Sequence, residues 1–250
     1  MEKKFDINVK GYSIRCRIIA ARDARQYRRA VICTHGFGGS KDMANITHFA
    51  EKETSKYKGD AVICFDWPCH GQDARKKMDL AECMEYLAEV IRYAQEELGA
   101  ESLMNYSVSL GAYLTLVYIH RYGNPFRRIA LRSLSVDMYA LMREKLTEDE
   151  LAKVEKGKEV LVGFDRKMKM DRQLLADLAE ADIREYEYFD WADDIMIIQG
   201  TKDTTVSFDD ARAFAENNVI EFMPVEGADH TFRSSKYMDQ AVHAILEFFA

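Results

Sequence analysis

Ser109, Asp203 and His230 are the residues whose types and order could carry out a covalent reaction. A serine hydroxyl is a weak nucleophile until an imidazole takes its proton, and that imidazole needs a carboxylate to fix its tautomer. Ser109 lies in Tyr106-Ser107-Val108-Ser109-Leu110-Gly111, between a buried-strand pattern at 103–106 and a helical pattern at 111–122. A serine at such a corner takes a strained backbone and needs small residues two positions away, which Ser107 and Gly111 supply. The strain lifts the hydroxyl above the sheet edge, where the N-terminus of the following helix favours developing negative charge. Taken alone, Ser-x-Ser-x-Gly is equally the pattern of a solvated turn capped by a serine. Ser107 is the poorer nucleophile, because Asn105 stands two positions before it and it does not begin the helix.

The other two groups follow in an informative order. An apolar strand at 194–199 runs into Gly200-Thr201-Lys202-Asp203, and a second strand at 219–224 precedes Gly227-Ala228-Asp229-His230. Asp203 and His230 therefore both fall just past strand C-termini, where the functional groups of open α/β sheets gather. Asp229 adjoins His230, but neighbouring side chains on an extended loop point apart, so Asp203 is the better partner. Upstream, a strand at 31–34 enters His35-Gly36-Phe37-Gly38-Gly39-Ser40, whose glycines let backbone amides turn toward a substrate oxygen. The backbone N–H groups of Phe37 and Leu110 are the expected oxyanion donors. No Gly-Lys-Ser/Thr pattern follows, which argues against a phosphate-cradling loop.

With these motifs in place, the chain resembles the α/β-hydrolases of the serine-aminopeptidase-like and monoacylglycerol-lipase-like group, which includes bacterial cinnamoyl esterases. His35-Gly36-Phe37-Gly38-Gly39 matches that group's oxyanion loop, and Phe65-Asp66-Trp67-Pro68-Cys69-His70-Gly71-Gln72 matches its Asp-x-x-Gly-His-Gly turn. Cys69 stands where the turn has glycine, and Ser107 stands where the elbow has glycine. Ser109, Asp203 and His230 fall on the positions of the family's triad, in its order. The resemblance implies an α/β-hydrolase fold across nearly the whole chain, with the same roles for those residues.

The elements that must position them are legible from periodicity. Segments 5–9 and 13–20 alternate apolar and polar residues about Lys10-Gly11-Tyr12, an antiparallel hairpin at the sheet edge. Beyond it, helices at about 43–57 and 80–98 alternate with strands at 31–34, 61–65, 103–106 and 128–133, which implies a mostly parallel sheet with helices on both faces. The alternation breaks over about 136–191. Tyr139, Leu141, Met142 and Leu146 mark one helix there, Leu174, Leu175, Leu178 and Ala179 another, and 159–164 a short strand or hairpin. The resemblance places a small helical cap in this segment. Met138, Tyr139, Met142 and Phe164 are the residues expected to line its substrate pocket.

With 250 residues, the chain is expected to form one α/β-hydrolase domain. The net charge of −7 offers no electrostatic footprint for nucleic acid. No signal peptide or membrane span is legible, and five cysteines, two of them in apparent buried strands, read as reduced thiols of a cytoplasmic protein. Neither a cofactor nor a metal is expected. The reaction expected is hydrolysis of carboxylic esters of small to medium acyl groups, through an acyl-enzyme. An aminopeptidase or thioesterase would use the same triad, and a non-catalytic binding protein could keep the same fold.

Overall fold

Ile14, Cys16 and Ile18 alternate with Ser13, Arg15 and Arg17, and the period of two places them on one buried face of a strand. In the computed structural model, which describes residues 1–24, 26–73, 75–163 and 167–250, this strand is β2 (Tyr12–Ala20). It pairs antiparallel with β1 (Glu2–Val9) across Lys10 and Gly11, both at positive φ, the conformation that matches a hairpin turn to the twist of its strands.

The remaining strands of the main sheet are β3 (Arg29–Thr34), β4 (Asp60–Phe65), β5 (Ser102–Val108), β6 (Arg128–Arg132), β9 (Ile195–Gly200) and β10 (Glu221–Val225). Two short strands between them, β7 (Val160–Val162) and β8 (Met168–Met170), form a separate antiparallel hairpin. The main sheet runs β1-β2-β4-β3-β5-β6-β9-β10, and from β4 onward every pairing is parallel. All six residues of β3, of β4 and of β9 are buried, the mark of parallel strands covered on both faces.

Helices α2 (Leu80–Glu96), α3 (Leu110–Tyr122) and α7 (Phe208–Asn218) share one core with Leu87, Leu114 and Phe214. On the other face α1 (Ala44–Lys56) and α8 (Ser235–Phe248) pack Phe49 and Ile245 against Val31, Tyr106 and Ile198. Each fully buried side chain of this size contributes about 1.5–3 kcal/mol, so both layers are strongly held. The expected fold class is the observed one.

Residues 136–191 hold α4 (Met138–Arg143), α5 (Glu148–Glu155), the β7–β8 hairpin and α6 (Arg172–Glu180). Asp137 and Asp171 cap α4 and α6 by accepting from Ala140 and Leu174 amides, and Thr147 with Glu150 forms a capping box at α5. Met138, Met142, Leu174 and Leu178 turn inward and join the core on the α3 side of the sheet. Among the described residues no helix is long and apolar enough to cross a membrane. All five cysteines are buried.

Candidate active site

Ser109 sits between the last residue of β5 and the first of α3, with φ 53° and ψ −116°. A non-glycine residue held there stores about 1–3 kcal/mol of strain, which its surroundings must overdetermine. Its amide donates to the Arg132 carbonyl at 2.9 Å, tying the corner to the end of β6. The turn is close-packed on both sides. A Cβ on Gly111 would collide with Thr34 Oγ1 and lie 2.8 Å from the His35 carbonyl, and one on Gly36 would meet Ser109 Cβ at 3.1 Å.

Ser107 fits the first small position because its hydroxyl is consumed inside the protein. It donates to Asn105 Oδ1 at 2.6 Å, receives Thr34 Oγ1 at 2.8 Å and lies 2.8 Å from Thr115 Oγ1, all buried. This leaves Ser109 as the serine that faces the cavity.

His230 Nε2 lies 3.1 Å from Ser109 Oγ, and His230 Nδ1 lies 2.8 Å from Asp203 Oδ2. The Asp203 carboxylate is fully buried and also accepts from Gln199 Nε2 at 2.9 Å and the amides of Thr205 and Val206 at 2.8 and 3.0 Å. An ionised carboxylate only accepts, so Nδ1 carries the proton and Nε2 presents a lone pair to the serine hydroxyl. Asp229 is occupied elsewhere, accepting from the Arg233 amide at 3.0 Å and pairing with its guanidinium at 3.4 Å.

Phe37 and Leu110 line the same cavity as Ser109, and among the described residues neither backbone amide donates within the protein. Leu110 N–H is one of the orphan donors of the first turn of α3. His35 shapes the loop. Its Nε2 accepts from the Trp67 amide at 3.2 Å and its Nδ1 lies 2.8 Å from the Gly36 carbonyl. Burial, with the nearby His70, lowers its pKa to about 3, so it stays neutral. Asp66 receives the Lys41 amide at 2.7 Å and the Lys41 ammonium at 2.9 Å, bracing the far end of the glycine loop. Cys69 holds a positive φ of 67°, which explains why glycine suits this turn.

A cavity of about 470 Å³ opens over Ser109 and His230. Met138 and Met142 line it, joined by Leu141 and Lys145 from the same stretch. Tyr139 does not. One residue along a helix from Met138 it turns about 100° away, and it is 37% exposed to solvent. Phe164 lies outside the described residues. Sequence reasoning also missed Met43, Asn45 and Arg132, which line the wall on the side of α1 and β6. No carboxylate lines the cavity among the described residues.

The family profile described as the alpha/beta hydrolase fold matches residues 29–162, more than half of the chain. The chain belongs to the α/β-hydrolase family. No curated protein sequence matches it. Among solved structures, this α/β-hydrolase is similar to Est1E from Butyrivibrio proteoclasticus with ferulic acid bound, at TM-score 0.76 and 16% identity over 99% of this chain and 97% of that one. It is also similar to the alpha/beta hydrolase GrgF from Penicillium sp. sh18, at TM-score 0.74 and 13% identity over 99% and 96%. A third is XC6422 from Xanthomonas campestris, described as a serine hydrolase without lid, at 0.67 and 13% over 99% and 93%. At these identities the likeness is one of fold.

Proposed function

We propose that the protein is a serine hydrolase that cleaves carboxylic esters of small to medium acyl groups. The observation that carries the reading is the continuous chain from Ser109 Oγ through both nitrogens of His230 to the buried Asp203. His230 removes the hydroxyl proton as Ser109 Oγ attacks the ester carbonyl, and Asp203 stabilises the resulting imidazolium. The amides of Phe37 and Leu110 receive the oxyanion. Collapse of this intermediate breaks the bond to the alcohol, which leaves with the proton from His230. Water then enters, gives its proton to His230 and attacks the acyl-enzyme. Ser109 recovers that proton as the acid departs. Each oxyanion donor of this kind contributes about 10²–10³ in rate.

We read residues 136–191 as a cap on a single catalytic domain. Its support is that Met138, Leu141 and Met142 form one apolar wall of the cavity over Ser109. A wall of that kind excludes water and holds an acyl chain. An esterase of the cinnamoyl group is the subgroup we favour, and Est1E, the neighbour in fold with ferulic acid bound, is in keeping with it. An aminopeptidase would need a carboxylate to hold the substrate ammonium, and the cavity lining offers none among the described residues.

The test is a kcat/KM profile over matched aryl esters, thioesters and aminoacyl amides. Esters turned over at least about 10²-fold faster than the amides support the reading. Amides preferred over esters contradict it.

A further inference from the structure

Gln199 stands out in β9, where it follows Ile195-Met196-Ile197-Ile198. Its position alternates with Ile195 and Ile197, which belong to the core, and its side chain is fully buried. Nε2 donates to Asp203 Oδ2 at 2.9 Å, whereas Oε1 has no hydrogen-bond partner among the described residues. A buried amide oxygen left unpaired is costly, and an apolar side chain of similar size would avoid that cost. The amide cannot turn over to relieve it, because Oε1 would then face the carboxylate with no proton between them. The cost is offset by one contact, the donor placed against Asp203.

That donor is not needed to hold the two loops together. The Thr201 amide donates to the Val225 carbonyl at 3.1 Å, the Lys202 amide to the Ala228 carbonyl at 3.0 Å, and the Gly227 amide to Thr201 Oγ1 at 2.9 Å. A Cβ on Gly200 would collide with the Ala228 carbonyl, so the segments that carry Asp203 and His230 are already in close contact. The amide of Gln199 acts on the carboxylate instead, at the oxygen that meets the imidazole. Oδ1 is held by the Thr205 and Val206 amides at 2.8 and 3.0 Å, while Oδ2 takes both Gln199 Nε2 and His230 Nδ1. Two donors on one oxygen compete, since each hydrogen bond to a carboxylate makes it less basic toward the next.

We infer that Gln199 is a positioning residue of the proposed ester hydrolysis, acting through Asp203 on His230. It keeps Oδ2 in line with Nδ1 and moderates the pull of that oxygen on the Nδ1 proton. The inference rests on the catalytic reading of Ser109, His230 and Asp203 and adds a residue that touches neither substrate nor nucleophile. Without Gln199, Oδ2 is held by the imidazole alone, and carboxylate and ring can swing together away from Ser109 Oγ.

Gln199→Met tests it, because methionine fills the same space without a donor and also removes the orphaned oxygen. The variant is expected to lose about ten-fold in kcat with KM within about two-fold, the size of one hydrogen bond to a charged group, while its Tm equals or exceeds that of wild type. The low-field proton resonance of His230 Nδ1–H should move further downfield, as its bond to Oδ2 loses a competitor. Gln199→Asn withdraws the amide by about 1.5 Å and should show the same losses in kcat, so a failure of one variant to fold leaves the other to decide. In an Asp203→Asn background Gln199→Met should cost less than about two-fold, since the partner through which it acts is gone. Full kcat with an unmoved resonance in either folded variant overturns the proposal, as does an undiminished loss in the Asp203→Asn background. The resonance also separates this proposal from the catalytic reading. A resonance that moves in a protein whose wild type turns over no ester contradicts ester hydrolysis and supports the tie from Gln199 to His230.

Discussion

The hydroxyl of Ser133 donates to the backbone carbonyl of His230 at 2.8 Å, so the loop that carries the imidazole is pinned to the end of β6. Ser133 holds φ 56° to make this contact, and its own amide is bonded to the Ile198 carbonyl at 2.9 Å. The strain at Ser133 thus serves the position of a residue almost a hundred positions later.

Ser133 is therefore a positioning residue. Ser133→Ala and Ser133→Gly both remove the donor, but glycine also relieves the backbone. Each variant is expected to lose about five-fold in kcat with little change in KM, the size of one net hydrogen bond. If Ser133→Gly keeps full kcat while Ser133→Ala loses it, strain rather than the hydrogen bond accounts for the effect.

Asp203 and Asp229 are separated by the same measurement. Asp203→Asn should cost about 10⁴-fold in kcat, because an amide facing Nδ1 favours the wrong tautomer. Asp229→Asn touches only the contacts to Arg233 and Thr231 and should stay within a few-fold of wild type. The opposite ranking would reassign the orienting carboxylate.

The order of the three groups is legible in the sequence because each follows a strand whose apolar pattern is unmistakable. The cavity wall is less legible, since side-chain direction on a short helix depends on where that helix starts. Met138 and Met142 are one helical turn apart and share a face, whereas Tyr139 points to solvent. Leu141 belongs to the Met138 and Met142 face by the same spacing, which the sequence contains once the start of α4 is known, whereas Lys145 lies in the turn after that helix ends. Arg132 reads in sequence as a cation closing a strand, and only the approach of Phe232 and α8 buries it. Strand β8 is three residues long, too short for its Met-Lys-Met alternation to register as a strand.

Met142 is almost fully buried on the inward face of α4 and lines the cavity. Met142→Ala should lengthen the preferred acyl chain, with a shift of a few-fold per carbon because each buried methylene contributes about 0.8 kcal/mol. A chain-length profile of kcat/KM identical to wild type would remove residues 136–191 from the substrate site.

Stability should fall on the alkaline side through Glu53. Burial, reinforced by the neighbouring Asp60 and opposed by Arg29, raises its pKa from 4.5 to about 8. The folded protein therefore holds this proton more tightly than the unfolded chain. The stability it contributes is complete below about pH 4.5 and is lost as pH rises through about 8. Glu53→Gln keeps the neutral form at every pH, so its Tm should decline less than that of wild type between pH 5 and 9. Parallel declines in the two proteins would contradict the assignment.

The most direct test of the central claim is mass-spectrometric mapping of the adduct formed with a fluorophosphonate probe. Wild type and Ser107→Ala should both carry one adduct, on Ser109. Ser109→Ala should carry none and should lose at least about 10⁴-fold in ester turnover while keeping its Tm near that of wild type. An adduct that persists in Ser109→Ala, or that maps to another residue of the wild-type protein, would contradict the account.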